Sequence, residues 1–291
     1  MIAITLLVDP EKPTLDPVLV GNLCNAWGGC DLRWLSENEA AEFQVANIPD
    51  TFWDSWATLQ SLGVDLVALP KSDRRKRVLL ADMDSTMIQQ ECIDELADEA
   101  GYGAQVADIT ARAMDGKLDF DAALRERVGM LKGMETSIID TVIRDRITLM
   151  PGAKPLLATV KSQGGYAALV SGGFTAFTNH IASLLGFDEH RANTLLVANG
   201  LLTGQVGDPI LGRQAKVTAL NDITARLGIT ADQVMAVGDG ANDLGMLQLA
   251  GAGVALHAKP SVAAQCDIRI NHGDLTALLF LQGYSRDDFV Y

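Results

Sequence analysis

The chain has 291 residues, of which 48% are hydrophobic and 21% are charged, and its formal net charge is −14. A chain of this length and hydrophobicity folds as one large or two modest domains and is not intrinsically disordered. The acidic excess argues against nucleic acid or an anionic membrane as partners, and it means that an anionic substrate would need local cations or a metal ion.

No run of 18 apolar residues predicts a membrane span, and the N-terminus lacks the basic segment and cleavage site of a signal peptide. Four cysteines are scattered without the spacing of metal ligands: Cys24, Cys30, Cys92 and Cys266. We interpret them as free thiols in a reducing compartment and expect a cytoplasmic protein.

Residues 1–70 form a predicted unit of their own with the element order β-α-β-β-α-β, which favours a ferredoxin-like α+β sandwich. Its predicted strands cover 2–8, 30–35, 42–46 and 64–69, and its predicted helices cover 16–26 and 49–62. We interpret the polar and basic residues 71–77 as a solvated linker rather than a nucleic-acid patch, because the chain as a whole is acidic.

From residue 78 onward, strand and helix signals alternate, which favours an α/β fold with a doubly wound, mainly parallel sheet. The predicted strands cover 78–80, 167–170, 234–237, 253–256 and 268–270. Asn199 and Gly200 predict the turn of a hairpin within 194–202. Residues 88–148 contain no convincing strand, and we expect them to form a small helical insertion that caps the sheet.

Two aspartates spaced i, i+2 follow the apolar run that ends at Leu80: Asp82 and Asp84. In α/β proteins, ligands bind at the carboxyl ends of the strands. One carboxylate of such a pair can act as a nucleophile and the other as a proton donor. The pair therefore predicts a phosphoryl-transfer enzyme.

Further polar groups stand at apparent strand ends in the same region: Ser171 with Gly172, then Lys216, then Asp239 with Asn242 and Asp243. Each group alone has an ordinary explanation as a helix cap, a turn or a surface residue. Together they fit one reaction, the attack of a carboxylate on a phosphate dianion. At about 3.5 Å and an effective dielectric constant near 20, these two anions repel each other by roughly 9 kcal/mol.

Carboxylate-bound Mg²⁺ removes most of that repulsion, and Asp82 and Asp239 can supply the oxygen ligands. Lys216 would add a positive charge near the transferring group. The Ser171 hydroxyl and the Gly172 amide can donate hydrogen bonds to phosphoryl oxygens. Asp84 would protonate the leaving alkoxide and later deprotonate water.

In their order and spacing, these four motifs resemble those of the haloacid dehalogenase superfamily, over roughly 78–290. The resemblance implies a Rossmann-like core, Mg²⁺ and an aspartyl-phosphate intermediate, and the second aspartate, Asp84, points to its phosphatases. It implies that Asp82 and Asp239 hold the metal through side chains and Asp84 through its backbone carbonyl, while Asp243 acts in the outer shell.

A narrower resemblance, to the phosphoserine phosphatase family, rests on three stretches of the insertion, at residues 91–97, 114–120 and 124–128. It implies that Glu91 faces the substrate ammonium, that Phe120 closes the pocket and that Arg127 pairs with the substrate carboxylate. From the residues alone, Glu91 and Arg127 would be ordinary solvated charges on helices. The N-terminal unit resembles an ACT-like domain. The resemblance leaves open whether this unit senses an amino acid and whether it forms a homodimer contact.

The expected function is therefore Mg²⁺-dependent hydrolysis of O-phospho-L-serine to L-serine and phosphate, which is the last step of serine biosynthesis. One alternative is an enzyme of the same superfamily that uses another phosphorylated metabolite or passes the phosphoryl group to an alcohol. The second alternative is a catalytically idle amino-acid sensor, and loss of a motif carboxylate would have favoured it.

Overall fold

The computed structural model describes residues 1–114 and 118–291. Its first four strands form an antiparallel sheet of order β2-β3-β1-β4. The elements are β1 (Ile2–Val8), α1 (Pro17–Ala26), β2 (Cys30–Ser36), β3 (Ala40–Val45), α2 (Phe52–Gln60) and β4 (Val64–Pro70). The predicted order is confirmed. The helix predicted over 49–62 is shorter at both ends, and the strand predicted from 42 begins at Ala40.

Both faces of this N-terminal sheet are covered. One face packs on α1 and α2 through a cluster that includes Ile4 and Phe43. On the other face, Leu7 and Val67 belong to the same buried cluster as Leu278 of the following region. The fully buried carboxylate of Asp65 accepts hydrogen bonds from three successive backbone N–H groups, at residues 271–273, each at 2.9 Å. The N-terminal unit is thus joined to the rest of the chain by polar as well as apolar contacts.

Five of the residues 71–77 are exposed, and Arg74 and Lys76 are partly buried. The Arg74 guanidinium lies 2.6 Å from the buried carboxylate of Glu42, and its side chain is 11% exposed. A buried carboxylate needs a partner, and this basic stretch supplies one. Lys76 donates through its backbone N–H to Gln282, so the segment packs against both neighbouring units.

The second region contains the larger sheet. Its strands are β5 (Val78–Ala81), β6 (Tyr166–Phe174), β7 (Glu189–Asn193), β8 (Leu195–Ala198), β9 (Leu201–Val206), β10 (Val234–Gly238), β11 (Ala252–Leu256) and β12 (Ile268–Ile270). Six of them pair in parallel in the order β12-β11-β10-β5-β6-β7. Since β5 lies between β10 and β6, the chain crosses to opposite sides of β5, and this doubly wound arrangement confirms the predicted fold class.

Two strands differ from the prediction. β6 continues past Val170, where we expected it to end, through Ser171, Gly172 and Gly173 to Phe174, and its register is irregular after Val170. β7 was not predicted, because its sequence contains no apolar run. The predicted hairpin is confirmed as β8 and β9, and Asn199 and Gly200 both have positive φ, as a type I′ turn requires.

Helices fill the insertion and flank the sheet. They are α3 (Cys92–Glu99), α4 (Gly103–Met114), α5 (Phe120–Gly129), α6 (Ser137–Asp145), α7 (Ala153–Ser162), α8 (Thr175–Leu185), α9 (Arg213–Leu227), α10 (Leu244–Leu249), α11 (Pro260–Ala263) and α12 (Ala277–Leu281). We call α3–α6 the cap. Residues 115–117, part of the 114–120 stretch used above, lie outside the described residues. None of the described helices is both long and apolar enough to cross a membrane.

The cap connects to the sheet through two adjacent segments. Ile88 forms an antiparallel bridge with Leu149, and the Met150 N–H donates to the carbonyl of Met87 at 2.9 Å. The chain therefore leaves and re-enters the sheet region at one place. This arrangement holds the cap above the carboxyl ends of β5, β6 and β10.

Candidate active site

A cavity of about 530 Å³ lies between the cap and the carboxyl ends of the central strands. Nine of the eleven predicted site residues line it, and the other two, Lys216 and Asp243, lie directly behind Asp82. The nine are Asp82, Asp84, Glu91, Phe120, Arg127, Ser171, Gly172, Asp239 and Asn242. Residues that are up to 160 positions apart in the sequence thus meet in one site.

The turn after β5 separates the two aspartates. The Asp82 N–H still pairs with β10, at 3.0 Å from the Val237 carbonyl, so Asp82 stays at the strand end. Ser85 then has a positive φ of 53°, and the N–H groups of residues 86–88 all turn back to the Met83 carbonyl. This tight turn directs Asp84 toward the cap and β6, where its carboxylate accepts hydrogen bonds from the Cys92 N–H at 2.9 Å and the Ser171 hydroxyl at 3.2 Å.

Lys216 is the buried counter-charge of the site. Its ammonium lies 2.7 Å from Asp82 Oδ2 and 2.5 Å from Asp243 Oδ1, and it is 1% exposed. Burial acts to lower the pKa of Lys216, but the two carboxylates outweigh it and the pKa is raised. The second oxygen of Asp243 accepts the Gly240 N–H at 2.9 Å. Both oxygens of Asp243 are therefore engaged behind the cavity, whereas Asp82 still faces it.

Negative charge exceeds positive charge at this end of the cavity. Burial, followed by the nearby Asp243 carboxylate, raises the pKa of Asp82 well above its usual range, although Lys216 opposes the shift. Burial and Asp243 also raise the pKa of Asp239 to about 6. Burial raises the pKa of Asp84, against the hydrogen bonds from Cys92 and Ser171. These shifts share one main cause, the burial of the carboxylates, and at Asp82 and Asp239 the Asp243 charge adds to it.

The residues present fit a divalent cation. One carboxylate oxygen each from Asp82, Asp239 and Asp243 lie within 4.8 Å of one another. Oxygen donors and excess negative charge are what hard cations such as Mg²⁺ and Ca²⁺ require. The Thr86 hydroxyl donates to Asp239 Oδ1 at 3.2 Å and so fixes the orientation of that carboxylate.

The cap adds a pair of opposite charges, Glu91 and Arg127, to the lining of the cavity. Glu91 stands at the start of α3 and accepts a hydrogen bond from the Ser85 hydroxyl at 2.8 Å. Burial and then the Asp84 charge raise the pKa of Glu91 to about 7. Arg127 donates through Nε to the Ala123 carbonyl at 3.3 Å, and burial lowers its pKa against the pull of Asp94.

Phe120 reaches from the cap to the core. A Cβ atom placed on Gly172 would lie 3.2 Å from Phe120 Cζ, and one on Gly212 would lie 3.2 Å from Phe120 Cδ1. The ring therefore packs against two glycines whose missing side chains make room for it. The cap is in contact with the core in this structure, and the cavity is partly covered.

Several residues that line the cavity were not predicted. Asp94, Thr110, Arg213 and Lys259 also line the cavity. Asp94 and Arg213 stand three residues from the predicted Glu91 and Lys216 on the same helices, so helical periodicity was a usable signal for both. Neither Thr110 nor Lys259 had such a signal.

Asn193 was missed as a positioning residue. Its buried amide donates to the Gly172 carbonyl at 2.8 Å and accepts the Leu211 N–H at 2.7 Å. It thereby fixes the end of β6 against the segment that precedes α9. A single asparagine in an unpredicted strand carries no local signal of this role.

Comparisons with known proteins agree with this geometry. Residues 79–248 match the haloacid dehalogenase-like hydrolase family, and the chain belongs to that family. Within it, the chain is 42% identical to a phosphoserine phosphatase of Streptomyces coelicolor over 86% of this chain. It is 46% identical to a phosphoserine phosphatase of Polaromonas over 70% of this chain and 89% of that protein.

The likeness extends to the N-terminal sheet. The solved structure of a haloacid dehalogenase family hydrolase from Salmonella enterica serovar Typhi superposes with a TM-score of 0.86 at 33% identity, over 97% of this chain and 98% of that one. The chain spans 62% of the length of the S. coelicolor relative.

Proposed function

We propose that the protein hydrolyses O-phospho-L-serine to L-serine and phosphate in a Mg²⁺-dependent reaction through an aspartyl-phosphate intermediate. One observation carries the proposal: a single cavity is lined by the Asp82 and Asp84 carboxylates after the central strand and by the opposite charges of Glu91 and Arg127 on the cap. Phosphoserine has a phosphate, an ammonium and a carboxylate, and this cavity offers a complementary group for each. The phosphoserine phosphatases among its relatives support the same substrate.

In the first step, a carboxylate oxygen of Asp82 attacks phosphorus and the bond from phosphorus to the serine oxygen breaks. Asp84 gives its proton to that leaving oxygen, and its raised pKa favours the protonated form that this step needs. Lys216, 2.7 Å from Asp82, holds the nucleophile in place and compensates part of its charge.

In the second step, water attacks the phosphorus atom of the aspartyl phosphate, Asp84 takes the proton from water, and the bond between phosphorus and Asp82 breaks. Asp82, Asp239 and the backbone carbonyl of Asp84 would hold Mg²⁺, with Asp243 behind them, and the ion would reduce the repulsion between nucleophile and phosphate. The Ser171 hydroxyl, the Gly172 N–H and Asn242 would orient the phosphoryl oxygens.

The cap selects the substrate in this proposal. Glu91 would accept from the ammonium, Arg127 would pair with the carboxylate, and Phe120 would cover the bound molecule. We further propose that residues 1–70 are an ACT-like unit, that 71–77 link it to a phosphatase domain of 78–291, and that the cap covers about 88–148. A cytoplasmic location and a homodimer contact through the N-terminal unit belong to the same proposal.

The test is phosphate release from a panel of phosphomonoesters, with added Mg²⁺ and with a chelator. The panel contains O-phospho-L-serine, O-phosphoethanolamine, glycerol 3-phosphate and p-nitrophenyl phosphate. We expect the highest kcat/KM for phosphoserine, and loss of activity in the chelator that added Mg²⁺ restores. A higher kcat/KM for another ester, or transfer of the phosphoryl group to an added alcohol in preference to water, would contradict the proposal in favour of the alternatives named above.

A further inference from the structure

Ser85 has a backbone conformation that its residue type rarely adopts. Its φ is 53°, in the left-handed region where the Cβ atom comes too close to a carbonyl oxygen. Glycine adopts this conformation without that penalty, and asparagine, aspartate and histidine tolerate it better than most other residues. The other non-glycine residues with positive φ in the described part of the chain all belong to those three tolerant types: Asp31, Asn38, Asp73, Asn199 and His257. Ser85 is the exception, and it lies at a functional site, where such strain calls for a functional reason.

The Ser85 hydroxyl provides that reason. It donates a hydrogen bond to Glu91 Oε1 at 2.8 Å, and the Ser85 N–H donates to the Gln90 carbonyl at 3.2 Å. The two bonds tie the turn that follows Asp84 to the residues that directly precede α3. Glycine at this position would relieve the backbone and could keep the N–H bond, but it would lose the bond to the carboxylate. A serine here therefore gives up some backbone stability and holds Glu91.

Glu91 depends on this bond for its orientation. Its side chain makes no capping bond to α3, and within the described residues the Ser85 hydroxyl is its one hydrogen-bond partner. Its second oxygen, Oε2, is left to accept a hydrogen bond from the substrate. Glu91 lines the cavity, whereas Ser85 is not among the described residues that line it. Any effect of the Ser85 hydroxyl on substrate choice must therefore pass through Glu91.

We propose that Ser85 is a positioning residue for substrate selection, because its hydroxyl holds the Glu91 carboxylate in the orientation that accepts the substrate ammonium. The inference rests on the proposed function and extends it from the residue that contacts the ammonium to the residue that orients it. A side chain that is already held in place loses less conformational freedom when the substrate binds. The bond thus favours phosphoserine over an ester that lacks the amine.

The test compares Ser85→Gly with Ser85→Ala. Both variants remove the hydroxyl, but only glycine also relieves the backbone. Each is assayed with O-phospho-L-serine and with 3-phosphooxypropionate, which lacks the amine. We expect both variants to lower the ratio of the two kcat/KM values about three- to tenfold, through KM for phosphoserine, as for the loss of one hydrogen bond. The kcat/KM for 3-phosphooxypropionate should stay within about twofold of the wild type.

Thermal unfolding separates the hydroxyl from the backbone. Ser85→Gly should unfold about 2 °C above Ser85→Ala, because alanine keeps the strained φ. Equal losses of selectivity in two variants of different stability would therefore belong to the hydroxyl. A Ser85→Gly variant that keeps the wild-type ratio would overturn the inference, because the backbone would then be the cause. Equal losses on both substrates would also overturn it, because they would indicate a distorted catalytic turn.

A double-mutant cycle tests whether Ser85 acts through Glu91. In the Glu91→Gln background, Ser85→Ala should change the ratio by less than about twofold, since the carboxylate that it orients is gone. Losses that multiply as if the two residues were independent would contradict the inference. If the wild-type protein does not prefer phosphoserine, or if Glu91→Gln alone has no effect, the proposed function fails first, and the panel of phosphomonoesters and the single Glu91 variant detect this separately.

Discussion

Glu91 is predicted to make substrate choice depend on pH. The residue is open to the cavity, but protein atoms surround its carboxyl group, and burial together with the Asp84 charge raises its pKa from 4.5 to about 7. The Ser85 hydroxyl, at 2.8 Å, opposes the shift without cancelling it. Only the ionised form can pair with an ammonium group. Recognition of phosphoserine should therefore be complete above about pH 7 and be lost as the pH falls through that value.

The size of the effect follows from the pKa. With a pKa of about 7, Glu91 is roughly nine-tenths ionised at pH 8 and roughly one-tenth ionised at pH 6. The ratio of kcat/KM for phosphoserine to kcat/KM for p-nitrophenyl phosphate should fall about tenfold between these two values. The ratio is used because the titration of the phosphate and of the catalytic aspartates affects both substrates and largely cancels.

Glu91→Gln provides the direct comparison. The variant should have a ratio that is low and independent of pH, about ten- to hundredfold below the wild type at pH 8, as expected for a lost charge-assisted hydrogen bond. Asp98→Asn is the matched control, because Asp98 is exposed on the same helix and does not line the cavity. A wild-type ratio that is constant from pH 6 to pH 8, or a Glu91→Gln ratio that still falls in acid, would refute the reasoning.

Three further predictions concern the nucleophile, the carboxylate contact and the cap. Asp82→Asn should abolish phosphate release while thermal unfolding stays cooperative, because an amide cannot attack phosphorus; activity within tenfold of the wild type, in a sample free of deamidation, would exclude Asp82 as the nucleophile. Arg127→Ala should lower kcat/KM for phosphoserine about ten- to hundredfold and spare p-nitrophenyl phosphate. The control is Arg125→Ala, which removes an exposed ion pair to Asp208. Equal losses of Arg127→Ala on both substrates would indicate a folding role. Residues 88–148 should gain protection from hydrogen exchange when Mg²⁺ and a non-hydrolysable phosphoserine analogue bind, since the cap must exclude bulk water. Protection gained only at 82–86 would mean that the cap does not move when substrate binds.

The sequence alone was sufficient wherever a feature depends on neighbouring residues. Asn199 followed by Gly200 specifies a tight hairpin turn, because both residues tolerate positive φ. Asp82 and Asp84 directly follow an apolar strand, and that spacing by itself predicts their place at a carboxyl end of the sheet. The alternation of strands and helices predicted the parallel sheet for a similar reason, since short connections and right-handed crossovers leave few topologies.

Tertiary structure decided the features that depend on contacts between distant segments. The Asp65 carboxylate binds three N–H groups more than 200 positions away, and no local pattern distinguishes it from a solvated aspartate. The pKa of Glu91 depends on the burial and the Asp84 charge that folding creates around it. Residue types and their spacing thus determined which chemistry is available, while burial and long-range packing determined which groups face the substrate and with what charge.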